Sequence, residues 1–302
     1  MSLGMRAVSW YVRRVKKRVW ASEALSLAQA HKPKANPAPP ARVTKRHDIQ
    51  VREVMGFRCH TVTPRARPAD AARGVVVYLH GGGYMNAIAP QHWQLIGRMA
   101  DAGLAVEVPL YGLAPQHAFT DAYALLHTLY ADLHRQHGAD RLWLAGDSAG
   151  GGLALGLALS LPAAGLPPPR GLSLISPWLD ISGSNPGIDR LEPLDPWLGK
   201  AGLAVAAQLW SRGADPADPR LSPLHGDLRH LPPTDVYIGT HDILHPDVQS
   251  LHHRARAAGV ADRIKLNECP GACHVYPLLP VREGREAATR LVGTIRDAFG
   301  SG

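Results

Sequence analysis

The stretch Leu142-Trp143-Leu144-Ala145-Gly146-Asp147-Ser148-Ala149-Gly150 decides the fold. Four apolar residues read as a buried strand, and Gly-x-Ser-x-Gly follows at once, the pattern of a strand-to-helix turn with a serine at its tip. Such a turn is so tight that the residues flanking the serine must be small, and it leaves the hydroxyl accessible at the end of the sheet. A second glycine loop, His80-Gly81-Gly82-Gly83, ends another apolar strand 65 residues upstream. Loops of this type supply backbone N–H groups to an oxyanion. The two loops together point to an enzyme that attacks acyl groups.

Working outward, strands and helices alternate from residue 48 onward. Ile49–Met55 and Phe57–Thr63 read as an antiparallel pair turning near Gly56, followed by strands Val75–Leu79 and Leu104–Leu110. A helix is expected over Asp121–His134, and a buried one from the elbow to about Leu161. Further strands are expected at Leu172–Ser176, Asp235–Gly239 and Arg263–Leu266, with helices near Asp247–Ala258 and Glu283–Phe299. This order predicts an α/β class: a mostly parallel sheet with helices on both faces. Ligands then bind outside the carboxyl ends of the strands, where both glycine loops fall.

Residues 184–231 interrupt the alternation with one helical stretch near Leu198–Trp210 and then turns at Asp215-Pro216 and Asp218-Pro219, and read as a cap inserted over the strand ends. Ala149 to Pro169 carries no charge, yet its five glycines and four prolines suit a buried central helix ending near Pro162 and not a bilayer span.

Charge divides the chain in two. Residues 1–47 hold eleven Lys/Arg against the single acid Glu23, while the remaining 22 basic and 24 acidic residues nearly cancel. The expected domains are therefore a basic N-terminal arm with a cap segment (1–47) and a catalytic body (48–302). A near-neutral body has no surplus charge with which to build a nucleic-acid face. Within residues 5–20, Val8, Tyr11, Val12, Val15 and Val19 share one helical side, with Arg13, Arg14, Lys17 and Arg18 elsewhere. A proline-rich link follows, with Pro33, Pro37, Pro39 and Pro40. Two readings of this helix stand side by side: it packs on the body and helps to cover the site, or it makes a weak, reversible contact with an anionic membrane surface.

The first twenty residues lack the apolar run of a secretory signal. Cys59, Cys269 and Cys273 are too few and odd in number for a disulfide framework, so a reducing, cytoplasmic compartment is expected.

A serine hydroxyl needs a base to remove its proton, and the imidazole that does so needs an orienting carboxylate. On this architecture they follow in the order Ser, Asp/Glu, His. Asp242 comes just after strand Asp235–Gly239, and His274 in the loop after the last strand. Asp247, the competitor for the acid, follows Pro246 and reads as a helix-capping residue. Asp147, beside Ser148, is expected to brace the loops through hydrogen bonds. Cys269, Cys273 and His274 offer only three potential ligands in one loop, so no metal is expected, nor any cofactor. His252 and His253 read as surface.

With these residues in place, the chain resembles the hormone-sensitive-lipase-like bacterial esterases of the α/β-hydrolase superfamily. The resemblance rests on His80-Gly81-Gly82-Gly83-Tyr84, Gly146-Asp147-Ser148-Ala149-Gly150-Gly151, and Tyr111 with Leu113-Ala114-Pro115. Ser176-Pro177-Trp178-Leu179-Asp180 and Leu231-Pro232-Pro233 add to it, and it spans roughly residues 70–280. It implies that Asp242 is the triad acid and His274 the base. It also implies an oxyanion hole from the Gly81, Gly82 and Ala149 N–H groups, and an N-terminal cap over a pocket for esters of short to medium acyl chains. In two places the chain departs from the family pattern: Gly112 stands where the family has arginine, and Gly152 where it has asparagine.

The expected function is a serine carboxylesterase that works through an acyl-enzyme and loses activity as His274 protonates. The alternatives are a non-catalytic small-ligand receptor on the same fold, which has no need of an intact Ser148, Asp242 and His274, or a lipid-ester hydrolase held at a membrane by the basic arm. Amides and carbamates would use the same residues, and the oligomeric state is left open.

Overall fold

The computed structural model describes residues 1–34, 37–65 and 73–300. Eight strands form one sheet in the order β1-β2-β4-β3-β5-β6-β7-β8. They are β1 His47–Val54, β2 Phe57–Pro64, β3 Val75–Leu79, β4 Ala105–Pro109, β5 Leu142–Asp147, β6 Gly171–Ile175, β7 Thr234–Gly239 and β8 Ile264–Cys269. The hairpin β1–β2 and the β2–β4 pair are antiparallel. All other pairings are parallel, as the alternating order of elements requires.

Every residue of β3, β5 and β6 is buried, because helices cover both faces of the sheet. The two-residue side-chain period divides the core accordingly. Val75, Val77 and Leu79 pack into one apolar cluster with the helices Phe119–His137 and Ala149–Ser160. Val76 and Tyr78 face the opposite cluster, with Trp93, Ile96 and Met99 and with Leu291 and Ile295 of helix Arg282–Ala298. Helix Ala149–Ser160 is the uncharged stretch after the elbow, and its first ten residues are all buried. Among the described residues no helix is long and apolar enough to cross a membrane.

Helix Pro90–Asp101, unassigned from sequence alone, makes the crossover between β3 and β4 and buries Trp93, Leu95, Ile96 and Met99. Helix Glu23–His31 is likewise new. The arm begins as helix Leu3–Val12 and passes through a π-turn at Arg13–Lys17 into Arg18–Trp20. Its buried stripe differs from the expected one: Met5, Val12 and Trp20 are buried, whereas Tyr11 is 61% and Val15 45% exposed. The stripe that touches the body is narrower than the apolar side read from the sequence, and Tyr11 and Val15 lie outside it.

The arm is tied down at both ends. Ser2 caps the first helix, and its N–H and hydroxyl donate to the two Glu283 carboxylate oxygens at 2.6 and 2.8 Å. Near the other end, Trp20 meets backbone that only glycine allows. A Cβ on Gly83 would lie 2.4 Å from the Trp20 ring, and one on Gly202 would lie 2.6 Å from the Trp20 carbonyl. Gly202 belongs to helix Lys200–Ser211, the helical stretch expected within residues 184–231.

Candidate active site

Ser148 sits between β5 and helix Ala149–Ser160 with φ +53° and ψ −122°, a backbone conformation that costs on the order of 1–3 kcal/mol for a non-glycine residue. Close packing holds it there. A Cβ on Gly146 would lie 2.3 Å from the Gly150 carbonyl, and one on Gly150 would lie 2.1 Å from that of Leu79. Both small neighbours of the elbow are therefore sterically required.

Two further strand ends bring in the partners of the serine. Asp242 follows β7 and His274 follows β8, and these loops are joined by the bond from the His241 N–H to the Ala272 carbonyl (3.0 Å). His274 Nε2 lies 2.9 Å from Ser148 Oγ, and its Nδ1 lies 2.9 Å from Asp242 Oδ2. Both ring nitrogens are thus engaged, with Nδ1–H donating to Asp242 and the Nε2 lone pair facing the Ser148 hydroxyl. All three side chains are buried, with Asp242 completely so. Asp247 is elsewhere: it lies in the first turn of helix His245–Ala257 and accepts a 2.8 Å bond from Asn185, and burial pushes its pKa up to about 6.

Asp147 braces the glycine loop. Its carboxylate accepts from the Tyr78 hydroxyl (2.8 Å) and the Gly81 N–H (3.0 Å), and lies 3.2 Å from His92 Nε2. Burial works to raise its pKa, but His92 and these hydrogen bonds together hold it below the ordinary carboxylate range. The bond from Gly81 corrects one expectation. The Gly81 N–H is committed to Asp147 and cannot serve an oxyanion. By contrast, the N–H groups of Gly82 and Gly83 have no partner among the described residues, and that of Ala149 opens a helix without an intrahelical acceptor. All three glycines line the same cleft as Ser148 and His274. Gly83 is thus the loop glycine that sequence reasoning passed over. Nothing in a run of three glycines tells which N–H a neighbouring carboxylate takes.

Asp195 is the residue the sequence concealed most fully. It belongs to no motif in the sequence, yet it is 0% exposed and lies in the segment between β6 and β7. Its Oδ1 accepts the N–H groups of Trp197 (2.6 Å) and Leu198 (3.0 Å), and its Oδ2 that of Ile243 (2.8 Å), the neighbour of Asp242. Trp197 in turn sets its ring edge-on to His274 at 5.9 Å. Burial and the charge on Asp242 push the pKa of Asp195 up. For His274, burial disfavours the imidazolium. Asp242, followed by Asp195 and Asp147, outweighs that effect and leaves the pKa above the ordinary value.

The two departures from the family pattern also have physical causes. A Cβ on Gly152 would lie 2.0 Å from the Trp178 carbonyl, so no side chain fits. At Gly112 the space is filled by His117, whose Cγ lies 2.2 Å from where a Cβ would stand.

The cleft over Ser148 has a volume of about 330 Å³. It is roofed by Val19, Trp20, Trp197 and Leu198 and floored by the glycine loop. The Lys17 ammonium fastens the roof by donating to the carbonyls of Leu198 and Glu192.

Comparisons with known proteins bear on the fold and its class. A family model described as the alpha/beta hydrolase fold matches residues 76–278. An acetyl-hydrolase of Streptomyces hygroscopicus is 34% identical over 249 residues, covering 80% of this chain and 82% of that protein. The crystal structure of EstE5 soaked with ethyl alcohol superposes with a TM-score of 0.84 at 26% identity, covering 100% of both chains. A crystal structure of an esterase from the bacterial hormone-sensitive lipase family gives a TM-score of 0.79 at 27% identity, covering 99% of each chain.

Proposed function

The chain belongs to the α/β-hydrolase fold family and is a hydrolase of ester bonds, and on that premise we propose that it is a serine carboxylesterase for short acyl chains, with Ser148, His274 and Asp242 as its catalytic triad. The hydrogen-bonded line Ser148–His274–Asp242 carries this reading. Ser148 Oγ attacks the ester carbonyl while His274 Nε2 takes its proton. Asp242 holds the ring in the required tautomer and stabilises the imidazolium. The tetrahedral oxyanion is received by the N–H groups of Gly82, Gly83 and Ala149, each donor being worth about 3–4 kcal/mol to the transition state. Collapse of the intermediate expels the alcohol, which takes the proton from His274. Water activated by the same ring then releases the acid from the acyl-serine.

A cleft of about 330 Å³ lies at the small end of ligand pockets. With residues 184–231 and the arm as its cap, it favours acetyl to butyryl groups over long chains. Across a p-nitrophenyl ester series from acetate to palmitate, kcat/KM should be highest at the short end. Turnover that rises toward palmitate contradicts a short pocket.

Asp195 is assigned a positioning role: it ties the Trp197–Leu198 roof to the triad-acid loop and adds a negative charge that favours the His274 imidazolium. Neutral His274 is the active base, so a pKa raised above the ordinary value of about 6.5 brings the acid limb of kcat/KM above that pH. Asp195→Asn removes the charge at nearly constant volume. The pKa of His274 should fall and the acid limb should move to lower pH. A lower rate with an unmoved acid limb would leave Asp195 with a packing role only.

A further inference from the structure

The outer face of the arm, at Leu3, Trp10, Arg14 and Arg18, has no role in the chemistry and an unusual composition. Leu3 is 80%, Trp10 58% and Tyr11 61% exposed. Arg6, Arg14, Lys16 and Arg18 are exposed as well, and the Arg14 guanidinium lies 3.8 Å from the centre of the Trp10 ring. No acid occurs in the first 22 residues, and Arg6, Arg14, Lys16 and Arg18 form no ion pair among the described residues. A helix that served only as a roof would expose neutral or mixed-charge residues. This one exposes large amphipathic rings between cations.

We propose that this face docks the enzyme on an anionic lipid bilayer, with Trp10, Tyr11 and Leu3 seated at the headgroup level and the cations against acidic headgroups. Charge complementarity identifies the occupant. The body is near neutral, while the arm concentrates its cations on the same helix as its exposed rings. Cations attract an anionic leaflet only within a Debye length, and aromatic rings hold the helix at the interface once it arrives. The stripe Met5, Val12 and Trp20 stays buried against the protein, so docking needs no unfolding of the arm. Val15 and Lys16 are exposed and also line the cleft over Ser148, which places the cleft mouth beside the docked face. Delivery of membrane-dissolved esters to Ser148 rests on the hydrolase reading above, whereas docking itself does not.

The test is co-sedimentation of the full chain with phosphatidylcholine vesicles, with and without phosphatidylglycerol, at low and high salt. The expected result is retention by the phosphatidylglycerol vesicles roughly tenfold or more above phosphatidylcholine alone, reversed by salt. Arg14→Gln/Arg18→Gln should lose most of the preference for the anionic lipid, and Trp10→Ser should weaken retention on both vesicle types. None of these residues lines the cleft, so turnover of soluble p-nitrophenyl acetate should be unchanged in both variants and reports the hydrolase independently. Equal sedimentation with and without phosphatidylglycerol overturns the proposal. So does retention that both variants leave intact, or that Trp10→Ser leaves intact while a soluble polyanion competes fully.

Discussion

Ser148→Ala should lower kcat on p-nitrophenyl acetate by about 10⁵–10⁶-fold while KM changes little, the loss typical when the nucleophile of such a triad is removed. The fold should be unaffected, because among the described residues the hydroxyl's one hydrogen-bond partner is His274, and alanine fits the same space. The backbone remains at φ +53°, so alanine does not relieve the strain of the elbow. Glycine does, and Ser148→Gly should be equally inactive yet more resistant to denaturant than the wild type. Kinetics and urea titration on the three proteins check both statements. A Ser148→Ala enzyme that retains even a hundredth of wild-type kcat would place the nucleophile elsewhere.

Asp242→Asn should cost about 10⁴-fold in kcat, because the amide leaves His274 in the wrong tautomer and withdraws the charge that supports the imidazolium. Asp247→Asn is the matching control. Asp247 accepts from Asn185, whereas His274 bonds to Asp242, so replacing Asp247 should change kcat little and act on stability instead. Two buried carboxylates five positions apart thus give opposite outcomes. Comparable losses of kcat in both variants would contradict the assignment of Asp242.

Much of this was legible in the sequence because local chemistry and long-range geometry agree there. The elbow must be Gly-x-Ser-x-Gly because the Gly146 and Gly150 positions have no room for a Cβ. The parallel sheet follows from apolar runs such as Val75–Leu79, whose two faces must both be covered. What the sequence did not reveal depends on contacts between distant segments. The Gly81 N–H is taken up by one hydrogen bond to Asp147, 66 residues away. Asp195 becomes a neighbour of the triad through the N–H of Ile243, 48 residues away. Helix Pro90–Asp101 follows a glycine loop with Pro90 as its start signal, and its Trp93, Ile96 and Met99 stripe gains meaning only against the sheet. Tyr11 and Val15 look like core on a helical wheel. Which apolar residues of an arm turn inward is decided by the surface it meets, and here Met5, Val12 and Trp20 are chosen.

The central claim is an acyl-enzyme on Ser148, and intact-protein mass spectrometry tests it most directly. The enzyme is quenched in acid within its first turnovers of p-nitrophenyl butyrate, and the adduct is located by peptide mapping. The account predicts a single butyryl adduct on the peptide that carries Ser148, absent from Ser148→Ala. An adduct on any other residue, or rapid wild-type turnover with no trapped acyl group under conditions where release is the slow step, would contradict it.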